Sequence, residues 1–232
     1  MKFNYIPAPF CIYKDCHKLM PAEIIRFKIE NNCCTKVGQK YFWSAESIIK
    51  SSQSNPITCF EEATNLIESS LEQSVKSQML SDVPLGAFLS GGIDSSLITS
   101  LMQKESSIPV QTFTVGFEES SFDESLFAKE VSSHLGTEHH ELFVTSKEAR
   151  DVIPKLPHIY DEPFSDSSQI PTFLVCLAAS KKVKVALSGD AGDELFGGYN
   201  RYLWAPRLWK KAEWMPYLFR RFVGHSLGSI PA

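Results

Sequence analysis

Residues 85–96 read LGAFLSGGIDSS and are the most informative part of the sequence. The apolar run 85–89 is typical of a short buried strand, Gly91 and Gly92 break it, and a helix is predicted from about Asp94. Glycine lets the backbone approach a ligand closely, and the first turn of a helix offers free N–H groups and a partial positive charge. The junction therefore predicts a phosphate-binding loop at the end of a strand.

The polar side chains of this loop indicate its chemistry. Three serines add hydroxyl groups, whereas Asp94 brings an anionic oxygen that would repel phosphate unless a cation lay between them. Mg²⁺ is the natural cation because it prefers oxygen ligands. The loop is not a Walker P-loop, since the Gly-Lys-Ser/Thr ending is absent. A plain capped strand-to-helix turn is the alternative, but it does not explain two glycines, three serines and an aspartate together.

A second loop, residues 188–194 (SGDAGDE), follows another apolar run and carries Asp190, Asp193 and Glu194. Clustered carboxylates repel one another, so such a cluster often indicates a metal site or a raised pKa. A solvated acidic loop is the alternative. If both strands belong to one parallel sheet, the two loops lie at the same edge, where ligands bind in such sheets. This placement favours the functional interpretation.

Outward from the two loops, short strands alternate with helices. The strands are predicted at 85–89, 110–117, 138–144 and 183–187, and the helices at about 60–79, 94–104, 122–135, from 145 onward and at 171–181. This order predicts an α/β fold, a doubly wound parallel sheet covered by helices on both faces. Three residue pairs are typical of capping boxes at helix starts: Thr58 with Glu61, Ser121 with Glu124, and Thr145 with Glu148.

The first 55 residues have a different pattern. Residues 24–29 and 40–43 are strand candidates, residues 31–38 between them are a predicted polar turn region, and residues 44–56 have the composition of a linker.

The sequence SGGIDSS resembles the pyrophosphate-binding loop of the PP-loop ATP pyrophosphatases, which split ATP into AMP and pyrophosphate. The longer stretch 81–96 (SDVPLGAFLSGGIDSS) resembles the synthetase domain of glutamine-dependent asparagine synthetases. This resemblance implies the adenine nucleotide alpha hydrolase-like fold, with Leu89 and Val115 against adenine. The ATP contacts that it implies are Leu89, Ser90, Gly91, Gly92, Asp94, Ser95, Ser96, Val115, Gly116, Ser188 and Gly189.

The resemblance also implies roles for four acidic residues. Asp94 and Asp193 would hold Mg²⁺, and Asp190 would help to deprotonate the attacking ammonia. Residues 160–164 (YDEPF) resemble a family segment near the acceptor site, which makes Glu162 a second candidate catalytic residue. Ala191 departs from the glycine that is usual at its place, and it restricts a backbone that glycine would leave free.

By the same resemblance, the chain divides into three parts. Residues 1–55 resemble the end of a glutamine amidotransferase domain plus a linker, residues 56–202 the PP-loop domain, and residues 203–232 the start of a helical C-terminal part. The glutamine-hydrolysing nucleophile of the family is an N-terminal cysteine, whereas position 2 here is Lys2. We therefore expect no glutaminase activity and a chain that is a fragment. It would form a homodimer or associate with a complementing chain that supplies the missing domains.

Composition and charge exclude several other classes of protein. The 232 residues carry a net charge of −4, and 43% of them are hydrophobic. No apolar run reaches the ~20 residues that span a bilayer, and the first residues lack the layout of a signal peptide. The mild acidity disfavours nucleic acid as a partner. The six cysteines form no Cys-x-x-Cys pair, which disfavours a zinc site. We expect a cytoplasmic protein with small-molecule substrates.

The expected function is that of an ATP-dependent amide-forming synthetase. The carboxylate of aspartate or a related acid would attack Mg-ATP, and ammonia would then convert the acyl-adenylate to an amide. The alternatives are an ATP-binding fragment without turnover, one part of a split enzyme, or a PP-loop amidotransferase that acts on a different carboxylate acceptor.

Overall fold

The structure is a computed structural model that describes residues 3–118 and 124–227. Its first two strands, β1 (Glu23–Glu30) and β2 (Cys33–Tyr41), form an antiparallel hairpin. Asn31 and Asn32 form the turn with φ angles of 49° and 60°, a left-handed pair that tight hairpin turns require and asparagine tolerates. The strand predicted at 24–29 is confirmed. The turn region predicted through residue 38 is wrong, because β2 begins directly after the two asparagines.

A helix, α1 (Ala45–Ser54), occupies most of the segment predicted to be a linker. The Ser44 hydroxyl caps it by accepting a hydrogen bond from the Ser47 N–H at 3.3 Å. Glu46 and Lys50 form an ion pair one turn apart on its surface. The composition of residues 44–56 did not indicate this helix, which a cap and an i,i+4 pair support. The role of the segment as a linker stays a prediction.

Four strands form the main sheet, and all of their pairings are parallel. They are β3 (Leu85–Phe88), β4 (Gln111–Phe117), β5 (Glu138–Val144) and β6 (Val185–Leu187), in the order β5-β4-β3-β6. The helices that follow α1 are α2 (Phe60–Gln78), α3 (Ile93–Glu105), α4 (Ser125–Leu135), α5 (Ser146–Val152), α6 (Leu156–Ile159), α7 (Gln169–Ala179), α8 (Gly192–Phe196), α9 (Asn200–Ala212) and α10 (Tyr217–Leu227). The alternation of strands and helices that the sequence predicts is confirmed.

Helices cover both faces of this sheet. On one face, Ala87 of β3 packs with Val75 of α2 and with Leu101 and Met102 of α3. Successive strand residues point to opposite faces, and the next residue, Phe88, packs with Ala179 at the end of α7. A further cluster joins Val144 of β5, Val152 of α5 and Leu174 of α7. The sheet is therefore doubly wound, as expected.

The capping predictions differ in their outcomes. Thr145 and Glu148 form the full reciprocal capping box at the start of α5. At α2 the N-cap is Cys59, which makes no side-chain cap bond, so the box predicted for Thr58 and Glu61 is wrong. Ser121 and the predicted start of the helix at residue 122 lie outside the described residues. Within the described residues, none of the helices is long and apolar enough to cross a bilayer.

Candidate functional site

The two loops singled out from the sequence emerge side by side, because the strands before them are neighbours. Ala87 of β3 pairs with Leu187 of β6 in parallel register. Residues 90–96 follow β3 and residues 188–194 follow β6, so both loops lie at the carboxyl edge of the sheet. In doubly wound sheets this edge is where ligands bind.

The first loop is organised by its own hydroxyl groups. Ser95 Oγ accepts the Ser90 N–H at 3.2 Å, lies 3.0 Å from Ser90 Oγ and donates to the Gly92 carbonyl at 3.2 Å. Ser90 Oγ in turn accepts the Gly92 N–H at 3.3 Å. The buried Ser96 Oγ has no hydrogen-bond partner among the described residues. These bonds hold the loop in a fixed arc.

Two glycines permit the entry into α3. Gly91 has a φ of 79°, and a Cβ there would lie 2.6 Å from Phe127 Cβ and 2.7 Å from the Ala128 nitrogen of α4. Gly92 is the N-cap of α3 and provides no side-chain cap bond. The first-turn N–H groups of α3 are therefore left without a side-chain cap, which is the arrangement that binds phosphate at helix starts.

The second loop packs directly on the first. A Cβ at Gly189 would lie 2.6 Å from the Ser95 nitrogen and 2.7 Å from the Asp94 carbonyl carbon. A Cβ at Gly192 would lie 2.5 Å from Asp94 Oδ2. Because real Cβ atoms do not approach so closely, only glycine lets the two backbones meet at this distance. The structure thus brings together the predicted residues of both loops.

Within the second loop, Ser188 and Asp190 hydrogen-bond to each other. The Ser188 hydroxyl donates to Asp190 Oδ2 at 3.0 Å and accepts the Asp190 N–H at 3.4 Å. Asp190 is exposed, so the carboxylate predicted to act as a base is accessible from solvent.

Ala191 adopts the left-handed conformation at the start of α8, with φ 73° and ψ −2°. A residue with a Cβ is strained in this region by about 1 kcal/mol. The departure from glycine noted in the sequence therefore falls on a position whose backbone favours glycine.

We expect Ala191→Gly to raise the free energy of unfolding by up to about 1 kcal/mol, because it removes this strain. The gain is reduced by the greater conformational entropy that glycine gives the unfolded chain. Urea denaturation followed by circular dichroism measures the change. As a matched control, Ala205→Gly in the exposed part of α9 should lower the stability by about 1 kcal/mol. A loss of stability in Ala191→Gly would contradict the prediction.

Two aspartates at the junction of the loops carry carboxylate oxygens that a cation could use. The Asp94 carboxylate lies against Gly192 of the second loop. Asp193 follows Gly192 in the chain, and its carboxylate lies against Gly198. Mg²⁺ is commonly held by one or two carboxylates together with phosphate oxygens. The donor set of Asp94 and Asp193 fits that ion beside a bound nucleotide. Among the described residues no group of three or more His, Cys, Asp or Glu side chains could hold a metal without such a ligand.

The predicted adenine contacts lie deeper than the loops. Leu89 is only 1% exposed, and its N–H bonds the Phe113 carbonyl at 2.9 Å. Gly116 is buried in β4, and the partly buried Val115 packs against the cluster that contains Val144. These residues line the sheet next to the loops, and their contact with adenine stays a prediction.

Glu162 has its polar contacts with the N-terminal segment. Its carboxylate forms an ion pair with Lys18 and accepts the Ile12 N–H at 2.9 Å. The hydrogen bond from Lys18, together with that from Ile12, lowers the pKa of the Glu162 carboxyl. No local sequence pattern predicts Lys18 as the partner of Glu162, because the two residues are far apart in the chain. The role of Glu162 at the acceptor site stays a prediction.

A cluster after the second loop was also missed. The Tyr199 hydroxyl donates to Glu194 Oε1 at 2.7 Å, and the Arg201 guanidinium lies 4.1 Å from the centre of the Tyr199 ring. The shared hydrogen bond lowers the pKa of Glu194 and raises the pKa of Tyr199. The available signal was the run GGYNRY directly after the acidic loop.

Comparison with known proteins identifies the family. A family model described as asparagine synthase matches residues 66–229. Over 86% of its length the chain is 37% identical to the putative asparagine synthetase [glutamine-hydrolyzing] 2 of Methanocaldococcus jannaschii. Over its whole length it is 33% identical to the asparagine synthetase [glutamine-hydrolyzing] 1 of Bacillus subtilis. The alignments cover 37% and 35% of these relatives, so the chain spans about a third of their length.

Among solved structures, the NMN synthetase of Francisella tularensis aligns with a TM-score of 0.41 at 15% identity, over 58% of this chain and 60% of that chain. The family model and the two sequence relatives both agree with the resemblance carried by SGGIDSS. The chain belongs to the asparagine synthase family.

Proposed function

We propose that this chain carries the ATP-binding part of an asparagine synthetase-type enzyme. The observation that carries the proposal is the junction of the two loops, where Gly189 packs on the backbone of Asp94 and Ser95. One loop offers hydroxyl groups and the uncapped start of α3, and the other offers carboxylates. This combination suits a nucleotide whose phosphates are bound by one loop and whose charge is balanced beside the other.

In the proposed reaction, a carboxylate oxygen of aspartate attacks the α-phosphorus of ATP. The bond from that phosphorus to the bridging oxygen breaks, and pyrophosphate leaves towards residues 90–96. Ammonia then attacks the acyl carbon of the adenylate, AMP leaves, and the nitrogen loses a proton to form the amide. The exposed carboxylate of Asp190, held by Ser188, is the proposed acceptor of that proton.

The loops contribute mainly position and charge. Ser90, Ser95, Ser96 and the first-turn N–H groups of α3 would bind pyrophosphate oxygens, and Ser188 and Gly189 would contact the nucleotide from the other side. Asp94 and Asp193 would hold Mg²⁺, which when bound neutralises phosphate charge. Catalysis of this kind depends on holding the reacting groups in place.

The proposal predicts aspartate-dependent exchange of pyrophosphate into ATP by the purified chain. The assay measures radiolabelled pyrophosphate entering ATP with Mg²⁺ and aspartate, because formation of the adenylate is reversible. Parallel assays with glutamate and with other carboxylic acids identify the acceptor. Measurable ATP binding without exchange for any acid would overturn the proposed activity for this chain and favour nucleotide binding without turnover.

A further inference from the structure

The cluster of Glu194, Tyr199 and Arg201 closes the end of the second loop. The Tyr199 hydroxyl donates to Glu194 Oε1 at 2.7 Å, although Glu194 itself is exposed. The Arg201 guanidinium lies 4.1 Å from the Tyr199 ring centre and 5.6 Å from that of Tyr202. Stacking of a guanidinium on an aromatic face restricts the ring. Contacts to its hydroxyl and to its ring therefore both hold Tyr199 in place.

This closure fixes the backbone against which Asp193 packs. The helix α8 ends at Gly197, whose φ is 72°, and the Gly198 N–H donates to the Asp193 carbonyl at 3.0 Å. The Asp193 carboxylate lies directly against Gly198, where a Cβ would overlap Asp193 Oδ1. Gly198 precedes Tyr199, so the hydroxyl bond to Glu194 ties down the segment that sets the direction of the Asp193 carboxylate.

We propose that Tyr199 is a positioning residue for the magnesium site, holding the turn at Gly198 against the Asp193 carboxylate. The inference rests on the proposed function, because it requires Mg-ATP at the junction of the loops. In this role Tyr199 would act on the metal site through Asp193 and not through a contact with the nucleotide. Its contribution is to keep one oxygen ligand in place, as partners behind a metal ligand commonly do.

The test compares ATP binding with saturating Mg²⁺ and with EDTA, by isothermal titration calorimetry on the full chain. The ratio of the two Kd values measures the coupling between metal and nucleotide. We expect Tyr199→Phe to reduce this ratio by about threefold to tenfold, which is the net contribution of one ordinary hydrogen bond, since the acceptor Glu194 is exposed. Its Kd in EDTA should equal that of the wild-type protein, because the first loop is unchanged.

Three further variants sharpen the test. Tyr202→Phe removes a hydroxyl from the neighbouring ring that also contacts Arg201, and it should leave the ratio unchanged. Glu194→Ala should reduce the ratio as Tyr199→Phe does. The double variant, with Tyr199→Phe and Glu194→Ala together, should have a ratio no lower than that of either single variant, because both changes remove the same hydrogen bond. The melting temperatures, measured in EDTA, confirm that each variant is folded.

The outcomes separate this inference from the proposed function. A wild-type chain that does not bind ATP, or whose binding ignores Mg²⁺, overturns the proposed magnesium and nucleotide site and the inference with it. A wild-type chain with Mg²⁺ coupling that Tyr199→Phe retains overturns the inference alone. Additive losses in the double variant would also overturn it, because they would place Tyr199 and Glu194 in independent roles.

Discussion

Gly189→Ala should reduce ATP–pyrophosphate exchange by about 100-fold, because displacement of a reacting group by about 1 Å has effects of that size. The added Cβ would lie 2.6 Å from the Ser95 nitrogen and 2.7 Å from the Asp94 carbonyl carbon. Both of these atoms belong to backbone, so no side chain can rotate away to make room. The loops must separate, and the phosphate-binding groups of the first loop then move away from the carboxylates of the second.

The same substitution should lower the free energy of unfolding by about 1–3 kcal/mol, as overpacking does elsewhere in protein interiors. Exchange assays and urea denaturation measure the two effects on one preparation. Gly224→Ala in α10 is the matched control, since a Cβ there meets no atom within 4 Å. It should leave exchange unchanged, and it should not lower the free energy of unfolding, because alanine is the better helix former. Normal exchange in Gly189→Ala would show that the close approach of the loops is not needed for catalysis.

Asp94→Asn should reduce exchange by about 100-fold or more, since a bound metal contributes several kcal/mol of charge stabilisation to reactions of this kind. Asparagine has nearly the same size as aspartate, so the packing of Gly192 on residue 94 is retained. What changes is the charge. In EDTA, ATP should bind to Asp94→Asn at least as tightly as to the wild-type chain, because a carboxylate near the phosphates is removed.

Calorimetry with and without Mg²⁺ and the exchange assay together check this prediction. Asp151→Asn, at an exposed position in α5, is the matched control and should behave as the wild-type chain does. An Asp94→Asn variant with weaker ATP binding in EDTA and unchanged coupling to Mg²⁺ would contradict the assignment of Asp94 to the metal. It would indicate instead that the aspartate contacts the nucleotide or supports the loop.

The parts of the fold that were predictable are those with a strong local pattern. The short apolar runs that became β3, β4 and β6 are bounded by glycine, proline or capping residues, and their length favours strands over helices. The helix α1 was not predicted because the serines and glutamine of residues 44–56 are typical of linkers, whereas Ser44 and the Glu46–Lys50 pair support a helix. At Asn31 and Asn32, composition indicated a turn but did not set its length.

The candidate site was predictable to the extent that its residues lie in two short loops. The glycine, serine and aspartate residues of the two loops indicated their chemistry. The parallel order of the strands then predicted that both loops lie at one edge of the sheet. The ion pair of Lys18 with Glu162 and the packing of Arg201 on Tyr199 were not predictable. Such contacts depend on the directions of side chains from different elements, which no local pattern specifies.

The position of β6 beside β3 has a consequence for how the protein folds. The loops of the site are about a hundred residues apart in the sequence, and they meet only when the last strand of the sheet has docked. Contacts of such long separation form late, because a long loop must be closed before they contribute. Nucleotide affinity should therefore appear only in chains that have completed the sheet. A bound nucleotide would then stabilise the entire sheet, because a ligand that binds the folded state alone shifts the folding equilibrium towards it.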